Sequence, residues 1–272
     1  MKVDRRGRRD PIDDPLPKRR RIVYAPVTLS EEDGVRYLHF GSEWIQGAMR
    51  LKKPGTIELE YAQQMMAWSL FLEAPKAIAQ LGLGAAALTR FCHRHYPDAM
   101  VTAVELNPTV IVAARTMFGL PEDDRTLEVL CGDAEDYVGD LARHGTLDAL
   151  QVDLYDARAA GPVLDSLAFY VACRACLRWP GVLTVNLFGA RASFGRNMRH
   201  LKTAFDGRVI ALPEVHEGNR VAIAFNGPPL QVPWTMLRER ALALAKRFEL
   251  PTRSWVDGLR EDADEATRSF RI

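Results

Sequence analysis

The stretch AIAQLGLGAAALTRFCHRHYPDAMVTAVELNP, residues 77–108, decides the fold. It opens on AIAQL, short and apolar enough for a buried strand, and turns through Gly82 and Gly84. Residues 85–95 follow with a helical pattern, and MVTAVEL, residues 100–106, is a second apolar strand that carries Glu105. A strand, a tight turn, a helix and a second strand within about thirty residues make a βαβ unit, whose two strands lie parallel. The alternation continues downstream. A helix is expected over 109–118, a strand at TLEVLC (126–131), and a helical stretch after Asp133. Then come a strand at LDALQVDL (147–154), a helix over 164–178 and a strand at VLTVNLF (182–188). This is an α/β protein with a parallel sheet covered on both faces. The segments RVIALPEV (208–215) and RVAIAFNG (220–227) read as a closing antiparallel pair. Residues 233–248 read as a final amphipathic helix, and the charged end REDADEATRSFRI as frayed.

Upstream of the deciding stretch the periodicity changes. Residues 22–49 hold three short strand patterns, separated by a turn at 31–34 and by Gly41-Ser42, which predicts a small β appendage. LEYAQQMMAWSLFL, residues 59–72, has apolar residues at helical spacing. The expected organisation is a disordered basic tail over 1–21, a β region over 22–57, a catalytic domain over 58–250 and a tail over 251–272. The tail carries Lys2, Arg5, Arg6, Arg8, Arg9 and the run from Lys18 to Arg21. It has no aromatic residue on which a base could stack, so it reads as a solvated segment and nucleic acid is not expected as a partner.

Composition narrows the class. With 272 residues, 47% of them hydrophobic, and a net charge of +1, the chain can bury a sizeable core. No apolar run approaches the roughly 20 residues that span a bilayer, so no membrane partner is expected. The start has no apolar stretch behind its charges, which is not a secretory signal. Cys92, Cys131, Cys173 and Cys176 lie in apolar segments, consistent with a reducing cytoplasm; Cys173 and Cys176 read as core rather than as a zinc site, and no metal is expected.

In an open parallel sheet, ligands bind beyond the carboxyl ends of the strands, and four consecutive ends here carry chemistry. At the first, Gly82 and Gly84 let the backbone approach a ligand; a dinucleotide turn or a mere tight turn fits the same residues. At the second, Glu105 lies about twenty residues on, where a carboxylate accepts from ribose hydroxyls or favours the next helix. At the third, Asp133 and Ala134 suit an adenine amino group and ring nitrogen, or an N-cap. At the fourth, Asp153 and Asp156 stand three residues apart in a loop and suit a cationic substrate, or cap the loop as a pair of aspartates. Like charges held close raise one pKa, which helps a base take a proton from an ammonium group.

These residues, in order, resemble a known family. VELNP (104–108), GDA (132–134), DLYD (153–156), GP (161–162) and LDSLAFYVACRACL (164–177) are similar to the ordered motifs of the spermidine synthase, or polyamine aminopropyltransferase, family. The resemblance covers roughly 110 residues. It implies a Rossmann-like class I methyltransferase fold, a seven-stranded and mostly parallel sheet with a small N-terminal β appendage. It implies aminopropyl transfer from decarboxylated S-adenosylmethionine, a co-substrate rather than a tightly bound cofactor, to a diamine such as putrescine. It makes Asp153 the proton acceptor, Asp156 a diamine-binding carboxylate, Glu105 the ribose ligand, and Asp133 with Ala134 the adenine contacts. Tyr61 is implied at the substrate and Gln63 at the nucleoside; by analogy the family's habit suggests a homodimer.

The chain departs from the family at three places. Ala85 replaces the aspartate that holds the donor's ammonium, residues 213–219 replace a P-T-Y segment, and the DLYD loop is about two residues longer. Glu214 or Glu217 could supply a replacement carboxylate, and His216 shares their loop. A methyltransferase using ordinary S-adenosylmethionine is the alternative, with Arg90 as the nearest cation for the donor's carboxylate. A nucleoside-binding protein without activity is a further alternative. A dinucleotide oxidoreductase would leave GDA and DLYD without a role.

Overall fold

The computed structural model describes residues 24–156, 162–189, 191–215, 218–261 and 268–272. The basic segment 1–21, Gly161, His216 and Glu217 lie outside the described residues. The appendage is an antiparallel meander of β1 (Thr28–Glu32), β2 (Val35–His39) and β3 (Ile45–Arg50). Its first turn is tighter than the four residues expected. Asp33 and Gly34 both take positive φ, 50° and 75°, so two residues reverse the chain with the twist a hairpin needs.

The helix expected over residues 59–72 forms only in part. It is α1 (Glu60–Gln64), which tightens into a 3-10 segment at Met65–Leu70. The Met65 carbonyl is drawn toward the sheet, where it accepts from Thr184 Oγ1 at 3.0 Å and Gln151 Nε2 at 3.3 Å. Every residue of the 3-10 segment is buried, so packing rather than helix propensity holds it.

The α/β body then follows the expected alternation. Its elements are β4 (Ala77–Leu81), α2 (Ala87–His95), β5 (Met100–Glu105), α3 (Pro108–Phe118), β6 (Leu127–Cys131), α4 (Ala134–Gly139), β7 (Leu147–Val152), α5 (Leu167–Cys176) and β8 (Leu177–Leu187). Next come α6 (Arg191–Ala204), β9 (Val209–Ala211) and β10 (Arg220–Asn226). The strand order is β6-β5-β4-β7-β8-β10-β9, and β10 alone runs against its neighbours. The chain winds outward from β4 in one direction, then returns to wind in the other. That reversal opens a crevice at the carboxyl end of β4, between its two neighbours.

Side chains alternate across the sheet into two apolar layers. Ile78 of β4 packs with Phe91 of α2 and Val110 of α3, while Ala79 and Leu81 pack with Val138 of α4 and Phe169 of α5. Helix α6 escaped the sequence reading because its pattern is mostly polar: Asn197, Leu201 and Ala204 are its only buried residues.

The C-terminal residues correct an expectation. After α7 (Trp234–Phe248) the chain forms α8 (Thr252–Glu261), and β12 (Ser269–Arg271) pairs with β11 (Gln231–Pro233), while residues 262–267 of the end expected to fray lie outside the described residues. Trp255, Val256, Leu259 and Phe270 are buried in the core shared with α2 and α7. Burying aliphatic side chains such as Val256 and Leu259 contributes about 1.5–3 kcal/mol each, enough to order a short charged helix. Among the described residues, no helix is long and apolar enough to cross a membrane.

Candidate active site

The crevice at the reversal point is a cavity of about 470 Å³. Its wall brings together Gly82 and Gly84 from the turn after β4, Glu105 from β5, Asp133 and Ala134 after β6, and Asp153 after β7. Tyr61 of α1 reaches the same wall. Four strand ends chosen from the sequence thus meet in one space.

The glycine turn needs its glycines. Gly82 has φ 87°, and a Cβ there would run into the Asp153 carbonyl oxygen. Gly84 has φ 51°, and a Cβ would lie 2.9 Å from the Gln46 carbonyl oxygen. The turn is therefore pressed between the β7 loop and the appendage, and only residues without side chains fit.

Glu105 is only 9% exposed and holds the turn in shape. One oxygen accepts from the Leu83 N–H at 3.0 Å, the other from the Asn107 N–H at 2.8 Å. Burial raises its pKa, opposed by those backbone donors. Asn107 then caps α3 by accepting from Thr109 N at 3.0 Å, with Pro108 in the first turn. Asp133 is the N-cap of α4, its Oδ1 accepting from Glu135 N at 2.8 Å. Each of these carboxylates keeps unused lone pairs beyond its backbone bonds.

Asp153 is held differently. Its Oδ1 accepts from Asn186 Nδ2 at 2.9 Å, and Tyr61 also hydrogen-bonds to it. Desolvation at the cavity floor pushes its pKa up to about 6, against the pull of those two donors. The expected partner Asp156 does not share this wall. Asp156 is exposed, and its main-chain carbonyl accepts from Gln46 Nε2 at 3.3 Å.

Gln63 is also outside the lining. It lies about 200° around the helix axis from Tyr61, and its Nε2 donates to the Ile57 carbonyl at 2.8 Å, closing the approach to α1. Glu214 pairs with Arg220 at 2.8 Å and is not on the cavity wall. Arg90 is equally unavailable to a ligand: its guanidinium turns back to the carbonyls of Pro54 and Ala86. Ala85 is buried against β3, where a Cβ on Gly47 would stand 2.6 Å from the Ala85 Cβ.

Several lining residues were not anticipated. Glu43 and Trp44 come from the tip between β2 and β3, and Trp44 meets Phe188 edge-on with ring centroids 5.8 Å apart. Asn186 and Asn219 also line the wall. Asn186 had a signal: it interrupts the apolar run of VLTVNLF, and a polar residue inside a buried strand needs a partner. Asn219 ends the segment 213–219 that replaces the family's P-T-Y, while Glu43 had no signal, because only the folded chain brings it to this place.

The wall contains Glu43, Glu105, Asp133 and Asp153, but among the described residues no Lys, Arg or His. Three of these carboxylates are engaged by protein donors, as above. Such a space suits a nucleoside that carries positive charge.

Comparison with known proteins agrees with this geometry. No protein-family model matches the chain. A polyamine aminopropyltransferase of Chromobacterium violaceum is 36% identical over 250 residues, covering 90% of this chain and 95% of that one. A probable spermidine synthase of Corynebacterium glutamicum superposes with a TM-score of 0.66 at 18% identity, covering 90% of this chain and 92% of that one. Human methyltransferase-like protein 13, solved in complex with SAH, superposes with a TM-score of 0.64 at 25% identity, covering 71% of this chain and 94% of that one. Identity sustained over nearly the full length of both chains, on the sheet order and strand-end residues described here, establishes that this protein belongs to the polyamine aminopropyltransferase family.

Proposed function

We propose that this transferase moves an aminopropyl group from decarboxylated S-adenosylmethionine to a diamine such as putrescine, a step of polyamine biosynthesis. The observation that carries the reading is the all-acidic set of charged residues on the cavity wall. The donor bears a sulfonium and an ammonium and no carboxylate, so it meets attraction at every ionised group there. Glu105 accepts from the ribose hydroxyls with its remaining lone pairs. Asp133 and the Ala134 N–H take the adenine edge. Gly82 and Gly84 let the turn lie against the sulfonium side.

Asp153 takes a proton from the acceptor's ammonium, for which a pKa near 6 leaves it ionised at neutral pH. The freed nitrogen lone pair attacks the methylene carbon beside the sulfonium. An N–C bond forms, the C–S bond breaks, and its electron pair returns to sulfur, releasing neutral methylthioadenosine. Alignment of the two partners, and loss of charge at sulfur in a water-poor cavity, supply the acceleration. Tyr61 orients Asp153 beside the acceptor. Glu43, which has no protein partner among the described residues, faces the acceptor's far ammonium from the cavity mouth.

A second reading, methyl transfer from ordinary S-adenosylmethionine, is favoured by one observation. Ala85 stands where the family carries the ammonium-holding aspartate, so a donor with a carboxylate meets less repulsion. Against it, Arg90 does not reach the cavity. The test is calorimetric titration with both nucleosides and with methylthioadenosine, followed by mass spectrometry of reactions with putrescine. Tighter binding of the decarboxylated donor and an aminopropylated product support the proposal. Preference for the ordinary donor with a methylated product, or binding with no turnover, overturns it.

A further inference from the structure

Behind the base lies a chain of two amides that the reaction steps above do not use. Asn186, in β8, is 2% exposed, and Asn219, just before β10, is 7% exposed. Asn186 Nδ2 donates to Asp153 Oδ1 at 2.9 Å, and Asn186 Oδ1 accepts from Asn219 Nδ2 at 2.9 Å. The main chain at Asn219 is held by its loop: the Asn219 main-chain carbonyl accepts from Val215 N at 2.9 Å, and Gly218 N donates to the Val215 main-chain carbonyl at 2.9 Å.

A primary amide is nearly symmetric in shape, so packing hardly distinguishes its two orientations. Its neighbours do. A carboxylate only accepts, and the Asn219 amino group only donates. Both demands are met by one orientation of Asn186. Were the Asn219 donor missing, Asn186 could turn its carbonyl toward Asp153, an arrangement that is favourable only when Asp153 carries a proton to donate.

We infer that Asn219 is a positioning residue: acting through Asn186, it turns amino rather than carbonyl toward Asp153 and so keeps that side chain a carboxylate. The inference rests on Asp153 being the proton acceptor. Tyr61 from α1 and Tyr155 from the same loop also face Asp153, and Glu43, Glu105 and Asp133 share its cavity. These groups are the same in every variant below, so differences between variants report on the amides.

The experiment follows the Asp153 carboxyl directly by carbon-13 NMR titration of aspartate-labelled protein, with Asp153→Asn assigning the signal. Asn219→Leu is expected to raise the titration midpoint by about half a pH unit, roughly a threefold change in the ratio of the two forms. Asn186→Leu raises it as well. The double variant moves it no further than Asn186→Leu alone, because Asn219 acts through Asn186. An unchanged midpoint in folded Asn219→Leu, or additive shifts in the double variant, overturns the inference. Asn219→Ser guards against a packing artefact: it keeps a donor in a smaller side chain, so a shift as large as that of leucine also overturns it. The titration requires no donor nucleoside and no turnover. A chain that transferred something other than an aminopropyl group would sink the functional proposal and leave this measurement readable.

Discussion

The two halves of the cavity keep their carboxylates in opposite ways. On the side proposed for the nucleoside, Glu105 and Asp133 are held by main-chain N–H groups within a turn or helix start that their own local sequence builds. On the side proposed for the amine, Asp153 is held by the side chains of Asn186 and Tyr61, which come from distant parts of the chain. Backbone donors tie a carboxylate to the shape of the local chain, although burial still raises the Glu105 pKa. Side-chain donors hold Asp153 at a site where burial pushes its pKa up to about 6. The first half is a mould and the second is a tool.

The sharpest way to break this contrast is Asp153→Asn. It should lower kcat/KM for aminopropyl transfer by about 100-fold or more, with methylthioadenosine affinity by calorimetry changed less than about threefold. Equal loss of both would mean that the halves are not separable. The same variant has a second, opposite effect. The carboxyl's folded pKa of about 6 lies above its ordinary 3.8. Its contribution to stability is therefore fully present below the ordinary value and is lost as pH rises through the folded one. Wild-type activity should rise across pH 6 as the base ionises, while this contribution to stability falls from about pH 3.8 and is spent a little above 6. Asp153→Asn should be more stable than wild type at pH 7 by about 1 kcal/mol, measured by urea unfolding.

Glu105→Gln tests the mould. It trades a charged acceptor for an amide that must still satisfy two backbone donors, at about 1.5–3 kcal/mol per charged hydrogen bond. Methylthioadenosine affinity should fall by roughly 10- to 100-fold, while the pH profile through 6 keeps its position. Gly82→Ala strikes the seam, since its added carbon meets the Asp153 carbonyl at φ 87°. A loss of about 2–3 kcal/mol is expected, read as a fall in melting temperature of several degrees together with lower turnover. Asp133→Ala is the mildest. Losing a cap costs about 1 kcal/mol, and weaker nucleoside binding beyond that stability loss would separate the adenine contact from the cap.

The same contrast explains what the sequence disclosed. The strands β4 to β8 and their turns were legible because each is a short apolar run followed by glycine, Asn-Pro or aspartate, signals confined to a few residues. Glu105 and Asp133 were legible for that reason too. Asp156, read from its spacing to Asp153, and Gln63, implied by the resemblance, are not among the residues that line the cavity; spacing along a loop says nothing of facing until the backbone shape is known. The amide contact of Asn219 and the 3-10 turn at Met65–Leu70 were out of reach, since each depends on partners roughly thirty or more residues away, and Glu43 reaches the wall only once the appendage is packed on the sheet. In α8, by contrast, Trp255, Val256 and Leu259 formed an apolar stripe at helical spacing that the surrounding charges obscured.

The close approach of Gly47 to Ala85 couples two positions that lie far apart in the chain. A Cβ at 47 would stand 2.6 Å from the Ala85 Cβ and 2.7 Å from the Ala85 main-chain nitrogen, so nothing larger than hydrogen fits at 47 whichever side chain residue 85 carries. Libraries of this hairpin should accordingly leave Gly47 unvaried, since any larger residue there pushes β3 away from the turn that follows β4.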